Sequence, residues 1–239
     1  GLSVKPNYLI ALQWFGYAAQ RGMQPNFQKQ LNEPNVEIKN GWKNTPFARF
    51  THAMALFQTS TPPPYADIVK ELTQLEKQDI AAATTLLGLC YADSTWKKAS
   101  PKKMLECYEK AAQAADPYAL YLLAKLHYNG DNVVTTDKNK VVEYYEKAAK
   151  ADFAPALCEL GNLYFNGKIV NKNITKAIAL YNEALLNGYL TKEAANNLSV
   201  CYQQGLGGLK KDQTMAAEIA KRGRDTQPYT QLLKNITFE

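Results

Sequence analysis

Small and apolar residues return to the same places four times between Ala83 and Gly205. The stretches read ATTLLGLCYADS from Ala83, ALYLLAKLHYNG from Ala119, ALCELGNLYFNG from Ala156 and AANNLSVCYQQG from Ala194, at intervals of 36, 37 and 38 residues. The first position is always alanine. The fifth is leucine (Leu87, Leu123, Leu160, Leu198) and the sixth is small (Gly88, Ala124, Gly161, Ser199). Positions 1, 5, 8 and 12 gather on one side of a helix at about 100° per residue, so each stretch predicts an amphipathic helix, here helix A. It stops at Ser94, Gly130, Gly167 or Gly205.

A second pattern follows each stop. Ser100, Asp137, Asn173 and Asp212 are residues whose side-chain oxygens can accept from the free amides of a first helical turn. Eight residues on lie Tyr108, Tyr145, Tyr181 and Ala220, and the small or apolar pairs Ala111–Ala112, Ala148–Ala149 and Ala184–Leu185 come next. The pentapeptide YEKAA, at Tyr108–Ala112 and again at Tyr145–Ala149, belongs to this helix B. Its tyrosine and alanines read as packing positions and its Glu-Lys pair as the solvated side. Units of two helices at this period predict an all-α solenoid, because no unit buries its apolar face alone.

The same register divides the whole chain, 1–239, as a single solenoid. A partial repeat occupies 1–22, a loop insertion 23–44 and a degenerate repeat 45–82. That degenerate repeat has predicted helices over 48–58 and 65–78, broken by Pro62, Pro63 and Pro64. Full repeats follow at 83–118, 119–155, 156–193 and 194–225, and a C-terminal cap at 226–239.

The pattern A-x-x-x-L-G-x-x-Y-x-x-G, then a loop and D-x-x-K-A-x-x-Y-Y-x-x-A-A-x-x-G, resembles the Sel-1-like repeat, a relative of the tetratricopeptide repeat. The match is fullest in Ala156–Gly188, through Leu160, Gly161, Tyr164, Gly167, Lys176, Ala177, Tyr181, Ala184 and Gly188. Ser94 departs from it, as do Gly223 and Arg224, which replace an alanine pair. The resemblance implies a right-handed α-α superhelix that acts as a non-enzymatic scaffold or adaptor. Such proteins serve in membrane-associated degradation, signalling and bacterial contact with host cells. A secreted subgroup with one cysteine pair per repeat fits poorly, because Cys90, Cys107, Cys158 and Cys201 do not recur in that way.

In related solenoids helix A lines the concave side, and positions 3, 7 and 10 lie opposite the core stripe. Position 3 reads Thr85, Tyr121, Cys158, Asn196; position 7 reads Leu89, Lys125, Asn162, Val200; position 10 reads Ala92, Tyr128, Phe165, Gln203. Only Lys125 is charged, whereas a merely solvated face would be rich in lysine and glutamate. Tyr121, Lys125, Tyr128, Cys158, Asn162, Phe165, Asn196 and Gln203 are therefore the expected partner-binding groove, fit for a protein or an extended peptide. The competing reading is that the aromatics pack against the next repeat.

Charge adds a second surface. Lysines of the A–B loops (Lys97, Lys98, Lys102, Lys103, Lys138, Lys140, Lys168, Lys172, Lys176, Lys210, Lys211) would line one edge, where they could steer an acidic protein or touch a membrane peripherally. The net charge of +6 is modest, and nucleic-acid modules usually carry a denser basic patch. A regulatory or substrate-recruiting domain of a larger enzyme or membrane complex is the alternative reading.

Chemistry is sparse. His52 occupies the leucine column and His127 the aromatic column, so both read as packing residues, and GLGGLKK at Gly205–Lys211 follows a helix and lacks a phosphate-loop ending. No enzyme, cofactor or metal site is expected. Four widely spaced cysteines without C-x-x-C read as buried thiols, which favours a reducing compartment such as the cytoplasm while leaving secretion or the periplasm open. No apolar run approaches the ~20 residues of a membrane span. No basic start precedes an apolar block, so no signal peptide is read.

Overall fold

The computed structural model describes residues 46–60, 62–130 and 132–225. The partial repeat at 1–22, the insertion at 23–44 and the cap at 226–239 lie outside them. Among the described residues there are ten α-helices, one 3-10 turn and no strand. They fall into two compact units, one ending at Ala119 and the other beginning at Leu120.

The first unit holds α1 (Pro46–Thr59), α2 (Tyr65–Glu76), α3 (Ala81–Ala92), α4 (Pro101–Gln113) and the opening residues of α5 (Pro117–Asn129). The second holds the rest of α5, then α6 (Lys138–Ala149), α7 (Ala154–Asn166), α8 (Ile174–Leu186), α9 (Lys192–Gln204), the 3-10 turn Leu206–Gly208 and α10 (Gln213–Asp225). In α1 the buried stripe is Phe50, Ala53 and Met54, at i, i+3 and i+4. His52 lies off that stripe and is exposed, which corrects its placement in a packed column. The guanidinium of Arg49 pairs with Glu71 and donates to Gln74 at 2.6 Å, tying α1 to α2.

The A–B turns of the four full repeats share one device. The backbone N–H of Ser100, Asp137, Asn173 and Asp212 donates to the carbonyl of Tyr91, His127, Tyr164 and Tyr202 at 2.9, 3.1, 2.9 and 2.9 Å. The side chains of the same four residues accept from Lys103, Lys140, Lys176 and Met215 N–H at 3.4, 3.2, 2.9 and 2.8 Å. One residue therefore closes the loop with its backbone and caps the next helix with its side chain, a cap contributing about 1 kcal/mol. Helix A stops at Gly130, Gly167 and Gly205 by passing into the left-handed region, with φ of 70°, 70° and 71°, whereas α3 ends at Asp93 in an extended conformation.

The turn from helix B to the next helix A is equally regular. Asp79, Ala115 and Asp152 adopt φ of 59°, 59° and 56°. The following N–H reaches back five residues: Ile80 to Leu75, Asp116 to Ala111 and Phe153 to Ala148, at 3.2, 3.0 and 3.2 Å. This satisfies carbonyls that the ending helix leaves free.

Within a repeat, the sixth position of helix A meets the tyrosine of helix B. A Cβ on Gly88 would lie 2.4 Å from the Tyr108 ring, and one on Gly161 would lie 2.5 Å from the Tyr181 ring. Both rings are buried, so the space is closed. The last repeat solves the same contact differently. Ala220 replaces the tyrosine, and Ser199 Oγ donates to the Ala216 carbonyl at 2.8 Å. There the departure at Gly223 also finds its reason, since a Cβ would stand 2.2 Å from that of Ala195.

Position 3 of helix A forms the seam to the next repeat. Thr85 Oγ1 donates to Asp116 Oδ1 at 2.8 Å; that oxygen also accepts from Ala119 N–H at 2.9 Å at the start of α5. Tyr121 packs against Tyr145 and Phe153, with ring centroids 5.9 and 5.7 Å away. Cys158 Sγ accepts from Thr191 N–H at 3.5 Å.

Candidate functional site

A cavity of about 200 Å³ opens in the second unit. Three successive A helices line it: α5 through Lys125, Tyr128 and Asn129, α7 through Glu159, Asn162, Leu163 and Asn166, and α9 through Glu193. Tyr145 of α6 and Lys168 complete the wall. Glu159, Asn162 and Asn166 stand at i, i+3 and i+7 on one stripe of α7. At about 100° per residue, this stripe is rotated by roughly 60–70° from the centre of positions 3, 7 and 10.

Three of the eight groove residues expected from the sequence line the cavity: Lys125, Tyr128 and Asn162. Tyr128 is the most open aromatic among them, 45% exposed. Tyr121 is drawn into the seam, and Cys158 is fully enclosed at 0% exposure, which corrects its assignment to an open groove. Phe165 stands apart, with Lys172 Nζ 5.8 Å from its ring centroid. Asn196 and Gln203 are exposed on α9, away from the cavity wall. Glu159, Glu193, Asn129 and Asn166 are not among the expected residues, and Lys168 is expected only on the basic edge. The signal for three of them was present, because Asn129 follows Lys125 by one turn and Glu159 and Asn166 flank Asn162 by one turn each way.

Asn162 is the centre of the site. It is only 4% exposed, and its Oδ1 accepts from Tyr181 Oη at 2.8 Å and Asn197 Nδ2 at 3.0 Å. Asn197 Nδ2 also donates to Tyr181 Oη at 3.2 Å, which closes a three-residue network. Asn162 Nδ2 is left without a well-formed hydrogen bond. Buried donors are nearly always satisfied, and the acceptor beside this one is the Glu159 carboxylate, whose charged form the Asn162 side chain favours.

Beside it the Glu159 carboxyl is pushed above its ordinary range, first by burial and then by the negative charge of Glu193; Asn162 and Lys125 offset part of that rise. Glu159 enters none of the ion pairs among the described residues. Burial and the nearby Glu159 charge together hold the Tyr145 phenol neutral well beyond its usual range.

Elsewhere the chemistry is quiet. His127 is buried, with Nδ1 3.1 Å from the Thr135 carbonyl and its ring stacked on Tyr144 at 5.8 Å. The four cysteines are free thiols, and burial pushes Cys90 and Cys158 up to about 12 and Cys107 to about 11. Among the described residues no cluster of three or more His, Cys, Asp or Glu could hold a metal ion. No helix there is long and apolar enough to cross a membrane. Some edge lysines are engaged in packing: Lys176 Nζ lies 4.1 Å from the Tyr164 ring centroid and donates to its Oη at 2.6 Å, and Lys103 lies 5.3 Å from the Tyr91 ring.

The repeated caps, the Gly–Tyr contacts and the position 3 seam have a counterpart among known families. The Sel1 repeat pattern matches residues 1–23, 81–116, 117–153, 154–189 and 192–223, more than half of the chain.

The chain belongs to the Sel1 repeat family.

Its fold class is accordingly an all-α solenoid of helix–turn–helix repeats. A Sel1 repeat protein from Oxalobacter formigenes is similar at 24% identity, over 92% of this chain and 90% of that one, with a TM-score of 0.65. A protective antigen of uropathogenic Escherichia coli strains with this fold is 19% identical over 95% of this chain and 60% of its own, with a TM-score of 0.44. Cysteine-rich protein B of Helicobacter pylori is 23% identical over 53% of this chain and 93% of its own, with a TM-score of 0.42. No curated protein sequence matches the chain. Sel1 repeats are generally non-catalytic and typically serve as scaffolds for protein interaction.

Proposed function

We propose that this Sel1 repeat protein is a non-enzymatic adaptor that holds a segment of a partner protein on the helix A face of its second unit. The observation that carries this reading is the cavity itself, lined by three successive A helices, with an exposed aromatic, Tyr128, in its wall. A bound segment supplies a side chain to cover that ring. Tyrosine is enriched among the few residues that dominate interface energetics.

The test is selection of peptides from a randomised library on the immobilised protein, followed by calorimetry on the parent and on a Tyr128→Ala, Lys125→Ala double variant. Both side chains are exposed, so the fold should survive. The double variant should lose about tenfold or more in affinity, the size expected for an aromatic anchor. Peptides that bind parent and variant equally would refute this site.

A further inference from the structure

We propose that the partner segment binds as an extended chain and is read through its main chain at every third residue, by one side-chain carboxamide from each of three successive repeats: Asn129, Asn166 and Gln204. This rests on reading the helix A face of the second unit as the partner site, and adds the conformation and register in which that site takes its occupant.

The three residues hold equivalent places, each the last residue of its helix A, in α5, α7 and α9. All three are exposed, and none enters a hydrogen bond among the described residues. Asp93 holds the same place after α3 in the first unit, but there the side chain is consumed locally. Its Oδ1 accepts from Thr95 N–H and Oγ1 at 2.9 and 2.7 Å. The second unit leaves this position open in every repeat. Its A helices are also consecutive neighbours: Tyr121 of α5 packs against Phe153 at the head of α7, and α7 packs on α9. Asn129 and Asn166 further belong to the cavity wall.

Charge and spacing decide what such a row can read. In the cavity wall Lys125 and Lys168 offset Glu159 and Glu193, so neither sign of partner charge is selected there. A carboxamide both donates and accepts without carrying charge, which complements a peptide unit. Packed helices lie about 8–10 Å apart. A polyproline II chain rises about 3.1 Å per residue with about three residues per turn, and leaves its main chain unpaired. Residues i, i+3 and i+6 of such a chain present peptide groups to one side at intervals of about 9 Å, close to the helix spacing. A β-strand turns residues three apart to opposite sides, and an α-helix has already paired its main chain. Three repeats thus take about seven residues of polyproline II chain. The side chains between contacts are left to vary, with one of them over the Tyr128 ring, in the way aromatic-lined grooves take such chains.

The probes are a capped proline heptamer, a capped proline tetramer and a capped alanine-rich helical peptide, at millimolar concentration. The readout is the side-chain amide resonances of Asn129, Asn166 and Gln204 in isotope-labelled protein. The heptamer should shift all three saturably, and the helical peptide should leave them in place. The tetramer reaches two repeats and should bind about three- to tenfold more weakly, the size of one net hydrogen bond. Asn166→Asp keeps the size and loses the donors, so it should weaken the heptamer by a similar factor. Asn166→Gln, with the side chain that α9 carries at this place, should retain binding. All these positions are exposed, so the fold should survive. In a peptide taken from the randomised library, main-chain amides replaced singly by esters should weaken binding at residues three apart and leave those between unchanged. No saturable shift with the heptamer, a larger shift with the helical peptide, or losses at every second residue would each overturn the register. A library peptide that needs Tyr128 but binds Asn166→Asp as well as the parent would overturn it too, and leave the adaptor reading standing. Failure of every library peptide on this face would overturn both.

Discussion

Asp116 lies wholly inside the first unit, at the head of α5, where its Oδ1 accepts from both Thr85 Oγ1 and Ala119 N–H. Burial pushes its carboxyl from an ordinary 3.8 up to about 6, with the hydrogen bonds opposing that rise. Asparagine keeps an oxygen for the same two donors, is an equally good helix cap and carries no charge. Asp116→Asn therefore isolates the cost of burying the charge. A rise of about two pKa units corresponds to roughly 3 kcal/mol. The sign follows from proton binding. Between about pH 4 and pH 6 the folded chain holds this proton more tightly than the unfolded chain, so stability falls as pH rises through that window and levels off above it. The parent and Asp116→Asn should be nearly equal near pH 4. At pH 7 the variant should be more stable by up to about 3 kcal/mol, or roughly 6–12 °C in melting midpoint for a chain of this size. Thermal and urea unfolding of both proteins across this range, followed by circular dichroism, measures the difference while cancelling groups common to both. A difference that does not change with pH, or a variant less stable at pH 7, would refute the argument.

Gly161→Ala tests the closest helix contact. Its methyl would press on the buried Tyr181 ring, so overpacking of about 1–3 kcal/mol should exceed the ~1 kcal/mol gained in helix propensity, and the melting midpoint should drop. Ala115→Gly relieves a left-handed alanine and should raise stability by up to about 1 kcal/mol in urea unfolding, the steric relief outweighing the chain entropy of glycine. The thiols of Cys90, Cys107 and Cys158 should react with Ellman's reagent at pH 8 far more slowly in the native protein than in urea, because burial keeps them protonated. Rapid native reaction would refute that burial.

Much of the fold is written in local patterns. The capping side chains at Ser100, Asp137, Asn173 and Asp212 can be read from residue type and position alone, because a cap depends on three or four consecutive residues. The pairing of a small sixth position with a helix B tyrosine is legible for a similar reason. It recurs, and in the last repeat both partners change together, as Ser199 and Ala220. His52 shows where this ends. In a degenerate repeat the column slips, and Phe50, Ala53 and Met54 hold the core instead.

The site was legible only in part. Helical periodicity says which side of helix A faces its own core, and leaves undecided whether the opposite side is open or packs against the next repeat. A solenoid helix has a third neighbour, however, the following repeat. Thr85, Tyr121 and Cys158 meet it through position 3, so the open stripe turns away from that seam and toward Glu159, Asn162 and Asn166. Periodicity within one helix determines the faces of that helix. Only the packing of successive repeats decides which face remains uncovered, because that contact lies 31 to 33 residues away in the chain and depends on side-chain volume at both ends.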